Sequence, residues 1–184
     1  VEEAILENTS ETKLAISGGV PANTVAVIPN YNDYSFIKII FDDASQHWFE
    51  DNLQKVQEPL SQGLVLRGLF EGVRDARYRI SSFIKMCTNT IRASQSNQIV
   101  DLCYTLLSRS INFLPEAQIE ENYHALYKVT REKLVASTCP QFDLSLAERL
   151  LSYGFHLDDV LDLKSLLESK NEDLKKVALS IDDK

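Results

Sequence analysis

Near Asp42 the spacing of apolar residues changes period, and that change divides the chain into two kinds of backbone. Before it, apolar residues come in short β-branched runs punctuated by turn formers, the pattern of strands. Residues 12–16 form one run, Gly18 and Gly19 interrupt it, residues 24–28 resume it until Pro29 and Asn30, and residues 36–41 make a third. Three short strands do not make an independently stable sheet. Residues 1–42 are therefore expected to be the tail of a β domain whose other strands lie upstream.

Beyond Asp42 the period is helical. Ser45 is the expected N-cap of a first helix, with Phe49, Leu53, Val56 and Leu60 following at steps of four, three and four. Pro59 suits the first turn of a second helix, because its missing N–H would have had no partner there. Leu60, Leu64, Leu69 and Val73 carry that helix's apolar stripe. Gly63, Gly68 and Gly72 lie inside it at a cost of about 1 kcal/mol each relative to Ala. Tolerating them predicts close approach of a neighbour, with Gly68 and Gly72 one turn apart on one face.

Further helices are predicted over residues 82–94, 97–113, 115–137, 144–153 and 156–169, with a last start near Asn171. Pro115, Cys139-Pro140 and Gly154 mark boundaries. Short connections imply antiparallel neighbours. The expected fold is mainly α: antiparallel helix pairs in a solenoid-like array of the HEAT or armadillo kind over residues 43–184, preceded by the few β-strands. No helix-ending signal precedes Lys184, so the helical domain is expected to be truncated there.

A formal net charge of −8, from 27 acidic and 19 basic residues, disfavours nucleic acid and anionic membrane as partners unless the basic residues cluster. The densest basic stretch holds Arg67, Arg74, Arg77 and Arg79 but also Glu71 and Asp75, and reads as a mixed helix face. No apolar run approaches the roughly 20 residues needed to cross a bilayer. Val1-Glu2-Glu3 is not a basic-then-apolar signal, and the compartment expected is the cytoplasm. Cys87, Cys103 and Cys139, odd in number and unevenly spaced, read as reduced thiols rather than a disulfide framework.

Zinc hydrolysis on a helix needs two His one turn apart with a Glu between them as general base. His47, His124 and His156 are each more than thirty residues apart. The chain also has no Cys-x-x-Cys pair, no G-x-S-x-G elbow and no phosphate-binding glycine loop. No catalytic, cofactor-binding or metal-ligating residue is expected within it. The carboxylate pairs Asp42-Asp43 and Asp158-Asp159 read as helix starts, where the dipole favours acids. One polar face stands out. Arg67, Glu71 and Arg74, at steps of four and three, share a helical side and form either a solvated ion-pair ladder or the polar wall of a peptide-holding cavity.

The segment Pro29-Asn30-Tyr31-Asn32-Asp33-Tyr34-Ser35-Phe36-Ile37-Lys38-Ile39-Ile40-Phe41-Asp42 resembles the junction between the β-sandwich and the C-terminal helical domain of aminopeptidase N-type zinc metallopeptidases. The family pattern is roughly Pro-Asn-x-x-Asp-x-x-Tyr-x-Lys/Arg-Val/Ile-x-x-Asp. Asn30, Asp33, Lys38, Ile39 and Asp42 match in register, and Phe36 stands in place of the Tyr. Glu58-Pro59-Leu60, and Leu69-Phe70 followed by Val73-Arg74-Asp75, are similar to bacterial-type members, which have Leu-Trp and Val-Arg-Asp. Gly68, Gly72 and Ala76 depart from that pattern.

The resemblance, over about residues 20–90, implies that residues 1–42 are the C-terminal strands of a β-sandwich domain and that the helical part caps the active-site chamber of an enzyme removing N-terminal residues from peptides. Its single zinc, held by an H-E-x-x-H helix and a distal Glu, and its amine-binding G-x-M-E-N strand would lie upstream. The only methionine here, Met86, stands in Lys-Met-Cys. The implied partners are the peptide substrate and the upstream catalytic and β-sandwich domains, with Arg67, Glu71 and Arg74 as the candidate chamber face. The alternative is a helical-repeat interaction module, from a catalytically inactive aminopeptidase relative or an unrelated scaffold, presenting a concave surface to protein partners.

Overall fold

Among the described residues, three helices start at a side chain that accepts an otherwise unpaired first-turn N–H, and two have in their first turn a proline that has none to satisfy. In the computed structural model, which describes residues 19–167, the helices are α1 Asp43–Asn52, α2 Pro59–Arg74, α3 Ile80–Ala93, α4 Asn97–Ser110, α5 Glu116–Ala136, α6 Pro140–Tyr153 and α7 Leu157–Leu167. Short 3-10 turns occupy Tyr31–Asp33, Leu53–Lys55 and Ile111–Phe113. The protein is mainly helical, as its periodicity predicts.

The cap of α1 is Asp42, not Ser45. The Asp42 carboxylate accepts the Ser45 N–H at 2.9 Å and the Ser45 hydroxyl at 2.7 Å. Ser45 is buried one turn into the helix, and its Oγ accepts the Val27 N–H at 3.0 Å. The serine therefore ties the preceding segment to α1 rather than starting the helix. Ser96 caps α4 in the ordinary way, and Pro59 and Pro140 sit in the first turns of α2 and α6.

Residues 24–28 and 36–41, expected as strands, lie in no sheet among the described residues. Residues 12–16, the third expected strand, fall outside them. The apolar run of residues 36–41 has a cause other than a sheet. Ile39 and Phe41 are buried against α2 while Lys38 and Ile40 face solvent, so the period-two pattern records a chain lying on a helix. Gly68 of α2 makes this possible: a Cβ there would meet Phe41 Cε2 at 2.6 Å and Ile39 Cγ2 at 3.3 Å. Gly72 similarly admits Tyr78, whose Cβ would lie 3.1 Å from an added methyl. Gly63 meets only Leu102 at an ordinary 3.6 Å and has no such need.

Beyond this segment, helices pack both on their neighbours in the chain and on the next but one. α1 packs on α3, α3 on α5, and α2 on α4. α4 meets α6 where Arg149 bonds Asp101 at 3.1 Å and the Tyr104 and Tyr153 rings stack at 6.2 Å. α5 meets α7 where Tyr127 Oη donates to Asp162 at 2.6 Å, Arg131 Nε to the same carboxylate at 3.0 Å, and His124 pairs with Asp159 at 2.8 Å. Odd helices thus pack on odd and even on even, and α2 to α3, α3 to α4 and α5 to α6 join the two sets. Between them lies one apolar core in which Phe49, Leu66, Phe83, Met86 and Tyr104 are fully buried. Burial of Phe49, Leu66, Phe83 or Met86 stabilises the fold by about 1.5–3 kcal/mol each.

Candidate functional site

Asn30 shapes the segment that crosses α2. Its backbone is left-handed, at φ 57°, a conformation asparagine tolerates better than most residues. Its side chain donates to Asp33 at 3.0 Å and to the Ser35 carbonyl at 2.8 Å, and accepts the Ser35 N–H at 2.9 Å. Tyr31 Oη donates to Glu58 at 2.8 Å, pinning this turn to the start of α2. Phe36, fully exposed, and Lys38 then pass beside the C-terminal half of α2.

Lys38 Nζ lies 2.7 Å from Asp75 and 3.7 Å from Glu71, and Arg74 lies 2.7 Å from Glu71. The hydrogen bond from Lys38 holds the Asp75 carboxyl below the usual carboxylate range. These exposed pairs contribute little individually. Their effect is to consume the two carboxylates of the face.

The predicted trio Arg67, Glu71 and Arg74 is brought together along one open cleft of about 920 Å³. It is not the continuous ladder that the spacing allows, because Glu71 pairs with Arg74 and Lys38 and leaves Arg67 with no hydrogen bond or ion pair among the described residues. Arg109 and Phe113, from the end of α4 and the 3-10 turn after it, form the opposite wall. Neither carries a sequence signal of its own. Only the packing of α4 on α2 places them here.

The histidines are less scattered than their spacing suggests. His124 and His156 stack with ring centroids 4.4 Å apart, beside the buried Asp159 whose Oδ2 has no partner. His47 bonds its own helix at the Asp43 carbonyl. No group of three His, Cys, Asp or Glu side chains among the described residues is placed to hold a metal ion. Cys87, Cys103 and Cys139 are free thiols, and burial pushes the Cys87 thiol well up. No helix among the described residues is long and apolar enough to cross a membrane.

Comparison with family models, with characterised proteins and with solved structures finds no match.

Proposed function

We propose that this chain is a non-catalytic C-terminal portion of a zinc aminopeptidase that removes N-terminal residues from peptides, and that its helices enclose the far end of the substrate. The junction carries this reading. Each of its five matched residues has a job that a domain junction needs. Asn30 and Asp33 lock the turn, Lys38 ties the crossing segment to α2 through Asp75, Ile39 is buried beneath it, and Asp42 starts the first helix. The reading assigns residues 1–42 to the end of a β-sandwich and the helices to a HEAT-like array, the latter supported by the next-but-one packing. A cytoplasmic setting is supported by the three free thiols.

The zinc of such an enzyme does not fit the residues present here, since no His pair stands one turn apart with a Glu between. The chain's own part is to position peptide. Arg67 and Arg74 offer planar donors to carboxylates or carbonyls of a peptide in the cleft. In the parent protein, R67A/R74A should lower kcat/KM for long peptides by about tenfold, from about 0.7 kcal/mol per partly exposed contact, and leave a short aminoacyl-arylamide unaffected. Equal values for both enzymes across the peptide series would remove this face from the site. The second reading, a helical-repeat interaction module, is favoured by the unpaired Arg67. It predicts that the parent protein hydrolyses nothing in the same assay.

A further inference from the structure

A protein of formal net charge −8 has carboxylates to spare, so an arginine left without one is informative. Arg74, Arg92, Arg131 and Arg149 each have a carboxylate within ion-pair distance. The guanidinium groups of Arg67, Arg77, Arg79 and Arg109 have neither a hydrogen bond nor an ion pair among the described residues. These four do not scatter over the surface. Arg67 and Arg109 line the cleft of about 920 Å³, Arg77 and Arg79 line a second of about 610 Å³, and the two clefts share Arg74 and Phe113.

In sequence, Glu71 and Asp75 offset the charge of this stretch. In space Glu71 pairs with Arg74 and Asp75 with Lys38, and the field of Arg77 reaches Asp75 without an ion pair. What remains is a concave track of four guanidinium groups without an ion-pair partner among the described residues, with Phe113 exposed where the clefts join and Phe36 exposed on the wall of the first.

The geometry points to this double cleft as a docking track for an extended polypeptide segment that alternates acidic and aromatic or aliphatic side chains. Carboxylates spaced along a strand can meet successive arginines, and the apolar side chains between them can cover Phe36 and Phe113. Nucleic acid fits less well, because its closely spaced phosphates would meet the acidic remainder of the molecule. The inference does not rest on the peptidase reading, since binding is measured on this chain alone.

The probe is an acetylated, amidated, fluorophore-labelled peptide of about eight alternating Glu and Phe residues, roughly 25 Å long when extended. Its counterpart has Gln for every Glu. Fluorescence anisotropy with the 184-residue chain should show the acidic peptide bound at least about tenfold more tightly, and less tightly as salt rises from about 50 to 200 mM. R67Q/R109Q and R77Q/R79Q should each weaken binding about tenfold, from about threefold per exposed charge. K55Q/K128Q, which changes exposed cations outside both clefts, should not. Far-UV circular dichroism confirms that each variant is folded. Equal binding of the Gln peptide, or an equal loss in K55Q/K128Q, would overturn the proposal. So would an oligothymidylate or an anionic vesicle bound as tightly as the acidic peptide, or self-association of the chain abolished by R67Q/R109Q without peptide binding.

Discussion

Replacing Gly68 with Ala isolates the contact that holds the crossing segment to α2. On an isolated helix the change would be stabilising by about 1 kcal/mol, because glycine is the poorer helix former. Here the new methyl would lie 2.6 Å from Phe41 Cε2, 3.2 Å from Phe41 Cζ and 3.3 Å from Ile39 Cγ2. The Phe41 ring cannot easily retreat, being buried and edge-on to Phe49 with centroids 5.3 Å apart. Overpacking of this kind costs about 1–3 kcal/mol, so G68A should be destabilising by about 1 kcal/mol net. In an F41L background the ring is gone, and the same substitution should become neutral or stabilising. The difference between backgrounds, about 1–2 kcal/mol, is the coupling energy of the contact. Urea unfolding followed by circular dichroism reads it as opposite shifts in midpoint at constant slope. If G68A raises the midpoint equally in both backgrounds, Phe41 does not lie against α2 and the account of the junction is wrong.

Two further perturbations test the polar anchors. D42A removes both bonds to Ser45 and should cost about 1–2 kcal/mol at neutral pH. Because those bonds hold the Asp42 carboxyl below its usual range, its contribution is complete above the unfolded value near about 3.9 and is lost as pH falls through the lower folded value. The gap between wild type and D42A should therefore narrow below about pH 4, as read from urea midpoints across pH. D162A leaves the Tyr127 hydroxyl and Arg131 without their shared acceptor. About 2 kcal/mol should be lost at the α5–α7 seam, and hydrogen exchange should quicken in α7 before α2 or α4 responds. Uniform quickening across all helices would mean that α7 is not a separate unit of stability.

The helices were legible because their signals are local. Pro59 opens α2, Pro115 and Gly154 bound helices, and the step-four and step-three stripes name most of the core. The start of α6 at Pro140 rather than Leu144 follows the same proline logic that was applied to α2. The apolar run at residues 36–41 has one edge, Ile39 and Phe41, buried and the other exposed. It does not encode what the buried edge rests on, and a helix with a glycine at the crossing serves as well as a strand. The cleft was half legible. Arg67, Glu71 and Arg74 share a helix, whereas Arg109 and Phe113 come from another, and His124 meets His156 only through the packing of α7 on α5. The charge balance of the 67–79 stretch was misleading, because composition counts carboxylates but does not say which cation each one holds.

The central proposal, of a zinc aminopeptidase in which this chain does not carry the chemistry, is tested most directly by measuring zinc content and aminoacyl-arylamide hydrolysis for the 184-residue chain and for the longer protein that the proposal implies. The account predicts one zinc per molecule and release of the N-terminal residue by the full-length protein, with neither bound zinc nor turnover from the chain alone. Stoichiometric zinc and turnover in the isolated chain, or their absence from the full-length protein, would contradict it.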